Sequence, residues 1–265
     1  MTKLIFFDTE TTGNTEKDFL VQIAYKITRL DQVKASEVFT GLYKPEVKIP
    51  PEASAVHHIT NKMVAEKQSF KESGDSEKIK KLFENDDVVV VAHNAVFDLM
   101  MIKKEGIEPK KFICTLRLAR HLDPEEKIER YNLQYLRYLL EIEIDATAHD
   151  ALGDVLVLEQ LFERLKKKMQ EVPTLEEVGI PTLDLKNQGV GKKNVTEEEV
   201  IQKMIEISSH PSIFTKLNFG KHKGKKIQEV LEIDRGWLEW LLREKEKSDQ
   251  IDEDWIYTLK YYLKK

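Results

Sequence analysis

An α/β protein with a mixed sheet is predicted by three patterns and their order along the chain. Segments rich in β-forming residues occupy the first part of the sequence. Four consecutive valines, residues 88–91, show no polar alternation, which is typical of a strand covered on both faces. Amphipathic helical stripes dominate the part that follows. Strands first and helices later, with one helix directly before the valine-rich strand, favour this fold class.

Local periodicity places each element. Strands are expected over residues 3–7, 19–27, 38–43 and 86–93. Apolar residues at three- and four-residue spacing indicate helices, which are expected over residues 76–85, 133–140 and 152–165.

A change in composition and in apolar periodicity near Glu171 predicts a domain boundary. Proline and glycine cluster in the next twenty residues and the apolar periodicity weakens, as in a linker. Thr196, followed by three glutamates, is then a good helix N-cap. The expected organisation is an N-terminal domain over residues 1–170, a linker over 171–194 and a small C-terminal module over 195–265.

Composition narrows the class of protein. The 265 residues are 41% hydrophobic, enough for a packed core, and 42 Lys+Arg against 47 Asp+Glu give a net charge of −5. A net charge so close to zero predicts no overall electrostatic attraction to nucleic acid, but it is compatible with a local basic patch. The single cysteine, Cys114, excludes a disulfide framework and is interpreted as a small buried residue. With no signal-like N-terminus and no apolar run of membrane length, a cytoplasmic protein without a membrane partner is expected.

Two carboxylates stand at the end of the first predicted strand. Asp8 and Glu10 are two residues apart, so both project from the same strand face. Their mutual repulsion would be relieved by a divalent cation with hard oxygen ligands, Mg²⁺ or Mn²⁺. The alternative is a strand end whose charged residues simply face solvent.

Two further acidic segments follow. Asp98 comes just after the valine-rich strand, at the carboxyl end where α/β sheets place their sites. His149 and Asp154 flank the start of a predicted helix and are able to border one site. The alternative for both acids is that they complement a helix dipole near its N-terminus.

The three segments together resemble a known family. Asp8-x-Glu10, His93-Asn94-x-x-Phe97-Asp98 and His149-x-x-x-x-Asp154 occur in the order of the three motifs of the DEDDh 3′→5′ exonucleases, which include polymerase proofreading subunits. The resemblance covers roughly residues 1–170 and extends to the loop around His57, although His58 stands where glycine is common. The turn Phe219–Lys225 is similar to the C-terminal extension of the exodeoxyribonuclease X group of this family.

The resemblance implies a fold, a reaction and a cofactor. The fold would be RNase H-like, a mixed five-stranded sheet flanked by helices. Asp8, Glu10, Asp98 and Asp154 would bind two Mg²⁺ or Mn²⁺ ions, one activating a water and the other stabilising the leaving 3′-oxygen. His149 would be the general base. The product would be 5′-mononucleotides from DNA 3′ ends, single strands or 3′ overhangs, in replication or repair.

Substrate-binding residues are predicted in two groups. Near the motifs, the candidates are Thr11, Thr12, His57, Asn94 and Phe97. In the C-terminal module, the candidates for phosphate contact are Lys221, Lys223, Lys225 and Lys226. The alternatives are loop anchoring or core packing for the first group and a solvated lysine-rich hairpin for the second.

Two other functions remain open at the level of sequence. An RNase acting on RNA 3′ ends would use the same motifs, because nothing in them excludes the 2′-hydroxyl. A non-catalytic, polymerase-associated scaffold would use the same fold, but the presence of all five expected catalytic residues argues against it. Protein partners are not predicted.

Overall fold

The computed structural model describes residues 2–29, 37–144, 150–171, 196–250 and 252–265. Within these ranges it contains one five-stranded sheet. The strands are β1 (Lys3–Thr11), β2 (Leu20–Arg29), β3 (Glu37–Leu42), β4 (Val88–Ala92) and β5 (Phe112–Cys114). Their order is β3-β2-β1-β4-β5; β2 is antiparallel to β1 and β3, while β4 is parallel to β1 and β5. The predicted mixed sheet is confirmed.

Eleven helices lie in the described part of the chain. They are α1 (Pro51–His57), α2 (Asn61–Val64), α3 (Gly74–Phe83), α4 (Ala95–Lys104), α5 (Thr115–His121), α6 (Leu133–Leu139), α7 (Ala151–Glu171), α8 (Glu197–Ser208), α9 (Ile227–Ile233), α10 (Arg235–Lys247) and α11 (Glu253–Leu263). None of these helices combines the length and the apolar character that crossing a bilayer requires.

Both faces of the sheet are covered, as the unalternating valine run predicts. The four valines of β4 are each at most 1% exposed. Along β1, Phe6 packs on α7 through an edge-to-face contact with Phe162 at 5.2 Å, and Phe7 packs on α3 through Phe83 at 5.3 Å. Because successive strand residues point to opposite faces, β1 contributes to both hydrophobic layers.

Strand β1 runs four residues past its predicted end at Phe7. The antiparallel ladder with β2 continues to Thr11, so Asp8 and Glu10 are paired backbone positions within the sheet. Strand β5 was not predicted from sequence, because three residues are too few to establish a period.

Helix α8 packs into the hydrophobic core beside the sheet. Its buried Val200, Ile201 and Met204 lie in the same cluster as β1, β4 and α7. A second cluster, built from α9, α10 and α11, begins at Leu217. The expected module over residues 195–265 stays a prediction, but its first helix packs with the sheet, and the separate core starts about twenty residues later. Residues 172–195, most of the predicted linker, lie outside the described ranges.

A buried ion network joins the two cores. Asp254, at the start of α11, accepts hydrogen bonds from Arg117 Nε at 3.2 Å and from Arg120 on α5. Arg117 is only 4% exposed and also donates to the Ser208 carbonyl of α8 at 2.7 Å. This network fixes the C-terminal helices against the domain that carries the sequence motifs.

Candidate active site

Three carboxylates converge at the end of strand β1. Asp8 and Glu10 lie on the strand face that α7 covers, and Asp154 is in the first turn of α7. One oxygen from each of the three lies within 4.8 Å of the others. The structure thus brings together residues that are almost 150 positions apart in the sequence.

Asp98 approaches the same strand from α4. Its carboxylate is 3% exposed and accepts two hydrogen bonds from Thr9, one from the backbone N–H at 3.1 Å and one from the hydroxyl at 2.6 Å. Thr9 lies between Asp8 and Glu10 in β1, and its side chain points to the opposite face of the strand. By binding the Asp98 carboxylate, Thr9 holds it at the same point of the strand as the two acids. Sequence reasoning missed this role, although strand alternation singles out the residue between the two acids.

The N-terminal end of α7 is held against the sheet. Gln22 of β2 accepts a hydrogen bond from Ala151 N at 3.3 Å, and its amide donates to Asp150 at 3.5 Å. Gln134 of α6 donates to Asp154 at 2.5 Å. These two amides orient the third carboxylate; neither was singled out from sequence, where a glutamine carries no distinctive signal.

The electrostatics are those of an anionic cluster. Burial, followed by repulsion from Asp98, Glu10 and Asp154, raises the pKa of Asp8 well above its ordinary value. Burial and the Asp154 charge raise the pKa of Glu10 to about 8. Burial raises the pKa of Asp98 to about 7, against the opposing effect of the Thr9 hydrogen bonds. Without a counter-charge, the folded protein therefore favours protonated carboxyls here.

The donor set fits a hard divalent cation. All the converging atoms are carboxylate oxygens, the ligands that Mg²⁺ and Mn²⁺ prefer. A cation would also remove the repulsion that raises these pKa values. The residues able to bind it are Asp8, Glu10 and Asp154, with Asp98 adjacent.

Of the two histidines in the sequence motifs, the structure describes only His93. His149, the predicted general base, lies outside the described residues. His93 contacts Thr115 Oγ1 through Nδ1 at 2.9 Å and the Tyr131 carbonyl through Nε2 at 2.6 Å. Burial lowers the pKa of His93 to about 4, so it is neutral and joins β4 to α5 and the start of α6.

His57 is buried at the end of α1. Its Nδ1 accepts a hydrogen bond from Ile59 N at 3.0 Å, which leaves the proton on Nε2. Among the described residues, Nε2 has no hydrogen-bond partner. Burial lowers the pKa of His57 against the opposing effect of a backbone contact with Thr11, so the ring is neutral at pH 7.

The other side chains predicted to contact substrate near the motifs differ in their exposure and in the hydrogen bonds they already make. Asn94 is exposed at the N-cap of α4, with a left-handed φ of 60°, and Phe97 is half-buried one turn later. The Thr11 hydroxyl donates to the Gly13 carbonyl. The Thr12 hydroxyl donates to Asp18 at 2.9 Å and accepts from Phe19 N at 3.0 Å, and the side chain is buried. Thr12 therefore stabilises its loop and offers no free hydroxyl.

The four predicted lysines lie on the turn before α9. Lys221 forms an ion pair with Asp234 at 2.6 Å. The side chains of Lys223, Lys225 and Lys226 are exposed and form no ion pair with any residue in the described ranges. Three of the four are thus available to phosphate, and one is engaged in holding the turn to α10.

A cleft of about 370 Å³ separates the motif region from the C-terminal helices. Asn94 and Phe97 line one side, and Gln250 and Asp252 line the other. An exposed ion pair between Lys17 and Asp249, at 2.7 Å, bridges the loop after β1 and the turn after α10. The residues after α10 therefore border the cleft that Asn94 and Phe97 line.

Residues 5–162 match the family model described as Exonuclease. The chain belongs to the exonuclease family. Residues 217–246 match a second model, described as the exodeoxyribonuclease X-like C-terminal family. The predicted family resemblance is confirmed over both parts of the chain.

Individual members of the exonuclease family are similar over different lengths. Exodeoxyribonuclease 10 of Escherichia coli strain K12 is 29% identical over 269 residues, covering 98% of each chain. The DNA polymerase III subunit epsilon of Treponema pallidum is 34% identical over 166 residues, covering 59% of this chain and 73% of its own. The structure of exonuclease X in complex with 5′ overhanging duplex DNA superposes with a TM-score of 0.50 at 28% identity, covering 63% of this chain and 92% of that one.

The expected RNase H-like fold is confirmed by this superposition together with the sheet order.

Proposed function

We propose that the protein is a metal-dependent 3′→5′ exodeoxyribonuclease that releases 5′-mononucleotides. The observation that carries the proposal is the convergence of Asp8, Glu10 and Asp154 within 4.8 Å, with Asp98 anchored beside them. An anionic cluster of this kind, in a member of the exonuclease family, is suited to holding cations against a phosphodiester.

Asp8, Glu10, Asp98 and Asp154 would hold two Mg²⁺ or Mn²⁺ ions. When bound, the ions supply charge stabilisation and lower the pKa of an attacking water. His149 directly precedes Asp150 in the sequence and would accept the proton of that water, since an imidazole titrates near neutral pH. Thr9, Gln22 and Gln134 act as positioning residues, because each holds one carboxylate or the helix that carries it.

The terminal nucleotide would be held by residues around the carboxylates. His57, whose neutral ring contacts the Thr11 backbone at the end of β1, would position that strand end against the substrate. Asn94 and Phe97 line the neighbouring cleft and would contact the backbone and the terminal base. Thr11 lies at the end of β1 beside the acids, whereas Thr12 acts indirectly by stabilising the loop that follows.

The C-terminal module would capture the strand. A site lined with carboxylates repels phosphate wherever it is not neutralised, so positive charge is needed elsewhere. Lys223, Lys225 and Lys226 supply that charge, and Lys221 fixes the turn that presents them. This assigns nucleic-acid binding to the residues beyond the predicted linker.

DNA is the proposed substrate because the similar proteins are named for it. Exodeoxyribonuclease 10 is similar along the whole chain, and the similar exonuclease X structure contains duplex DNA with a 5′ overhang. A duplex with a 5′ overhang has a recessed 3′ end on the complementary strand, so both recessed and single-stranded 3′ ends belong in the test.

The deciding experiment labels the 3′ end and the 5′ end of one DNA oligonucleotide separately and follows both with Mg²⁺. We expect the 3′ label to be released first, as a mononucleotide, and the reaction to stop in excess EDTA. Matched RNA serves as the comparison substrate. Release beginning at the 5′ end, undiminished activity in EDTA, or faster cleavage of RNA would each contradict the proposal.

A further inference from the structure

Helix α10 runs from the lysine-bearing turn towards the loop after β1. At its N-terminus, Asp234 accepts hydrogen bonds from Lys221 at 2.6 Å and from His222 at 2.9 Å. Just past its C-terminus, Asp249 pairs with Lys17 in the loop after β1. Thirteen residues of α-helix span roughly 20 Å. The lysine turn and the loop that follows the carboxylate-bearing strand β1 therefore lie at opposite ends of one rigid element.

An exposed tryptophan stands on this helix next to the lysine turn. Trp240 is 46% exposed, an unusual exposure for the largest apolar side chain. Its ring centroid lies 6.3 Å from that of Trp237. Trp237 in turn packs edge-to-face on His222 at 5.0 Å and against Gly220, both in the lysine turn. Trp240 is thus one aromatic ring away from the backbone that presents the lysines.

The lysines of this turn differ in whether they have an acidic partner. Lys221 is committed to Asp234, whereas Lys223 and Lys225 are exposed and have no carboxylate partner in the described part of the chain. An exposed aromatic face beside uncompensated ammonium groups matches the two parts of a nucleotide, its base and its phosphate. The complementary ligand is a polyanion that carries exposed aromatic rings.

We propose that Trp240, with Lys223 and Lys225, binds unpaired nucleotides of the substrate strand at a distance from its 3′ end. The indole face stacks on a base and the two ammonium groups contact adjacent phosphates. Single-stranded DNA is the occupant because a base inside a duplex is already stacked on its neighbours and offers no free face. The inference rests on the proposed function, and it adds a subsite on the C-terminal helices, apart from the carboxylates.

The subsite predicts that affinity depends on strand length. A strand of roughly 20 nucleotides is long enough to reach from the carboxylates to Trp240, whereas a dinucleotide bound at the carboxylates is not. In EDTA, where no hydrolysis is expected, fluorescence anisotropy of labelled oligothymidylates of both lengths gives Kd. We expect Trp240→Ala to weaken binding of the longer strand roughly 5- to 150-fold, the range for loss of one base–aromatic stack. Trp240→Phe should retain most of the affinity.

Matched controls separate this subsite from general effects. Tyr138→Ala removes an even more exposed aromatic, 74% exposed, on α6. The double variant Lys67→Gln/Lys81→Gln makes the same charge change as Lys223→Gln/Lys225→Gln, at two exposed lysines outside the module. We expect only the Lys223/Lys225 pair to weaken binding and to flatten its salt dependence, by roughly 0.7 of log–log slope per lost contact.

The outcomes distinguish the subsite from the enzyme activity. The subsite would be overturned if Trp240→Ala bound the longer strand as tightly as the wild type does. If the wild type still degraded DNA from the 3′ end, the proposed function would remain intact. Equal weakening by the Tyr138 or the Lys67/Lys81 controls would also overturn it. Absence of 3′ release by the wild type would overturn the proposed function itself.

Discussion

At the scale of single residues, the buried carboxylates make a direct prediction about pH. The folded-state pKa of Glu10 is about 8 and that of Asp98 about 7, both above their ordinary values. The folded protein therefore binds more protons than the unfolded chain between about pH 4 and pH 8, and the free energy of unfolding falls as pH rises through that window. We expect this decline in EDTA, and we expect Mg²⁺ to suppress it.

The same effect is testable by substitution. At pH 8 in EDTA, Glu10→Gln should raise the free energy of unfolding by about 1 kcal/mol or more, a Tm increase of roughly 2–4 °C. The control, Asp87→Asn, changes an exposed carboxylate outside the cluster. Thermal unfolding across a pH series, with and without Mg²⁺, measures both. A metal-free stability that rises with pH would contradict the electrostatic description of the site.

His149 carries the second prediction at this scale. His149→Ala should lower kcat roughly 10²- to 10⁴-fold, the usual range for a general base, while the Kd for DNA stays within about twofold. The loss should shrink at higher pH, where hydroxide replaces the base. His210→Ala, at an exposed histidine at the end of α8, is the control. Wild-type turnover by the His149 variant would assign the proton transfer to another group.

At the scale of elements, the lysine turn depends on one glycine more than on another. Gly220 and Gly224 both have left-handed backbone, with φ of 70° and 87°. A Cβ at Gly220 would lie 2.8 Å from Trp237 Cζ2, whereas one at Gly224 would meet nothing within 4 Å. Gly224→Ala should therefore cost roughly 1–2 kcal/mol from backbone strain alone, and Gly220→Ala should cost more.

Urea unfolding followed by tryptophan fluorescence measures this difference. All three tryptophans lie in the C-terminal helices, so the signal reports on the module directly. Equal destabilisation by the two alanines would mean that the contact between Gly220 and Trp237 does not hold the turn in place.

At the scale of the whole molecule, two acids join the C-terminal helices to the catalytic domain in different ways. Asp254 is 8% exposed and neutralises the buried Arg117, whereas Asp249 pairs with Lys17 in solvent. Asp254→Ala would leave a buried guanidinium with Glu253 as its remaining acidic partner, at a cost of about 3 kcal/mol. Asp249→Ala should cost less than about 1 kcal/mol.

Chemical denaturation of the two variants tests this comparison. Limited proteolysis between the two cores adds a local readout, since undocked helices should be cleaved faster. If Asp254→Ala were as stable as Asp249→Ala, the docking would depend on apolar contacts instead of the ion network.

The sequence by itself determined the local properties of this protein. Four of the five strands and helices α3, α6 and α7 were predictable from runs of β-forming residues or from helical spacing, and the start of α8 from its N-cap, because each of these signals lies in consecutive residues. It likewise placed Asp8 and Glu10 on one strand face and ordered the three motifs that define the family.

Only the tertiary structure decided which distant residues meet. Local periodicity does not encode that Thr9 anchors Asp98, that α8 packs with the sheet, or that Lys221 is committed to Asp234. Each of these contacts joins separate segments, and its existence depends on strand order and on the packing of whole layers. From sequence, Trp240 is expected in the core of a C-terminal helix together with Leu238, Leu241 and Leu242. For Trp240 that expectation is wrong, since it is 46% exposed, because only the packing of α9 and α11 decides which face of α10 is covered.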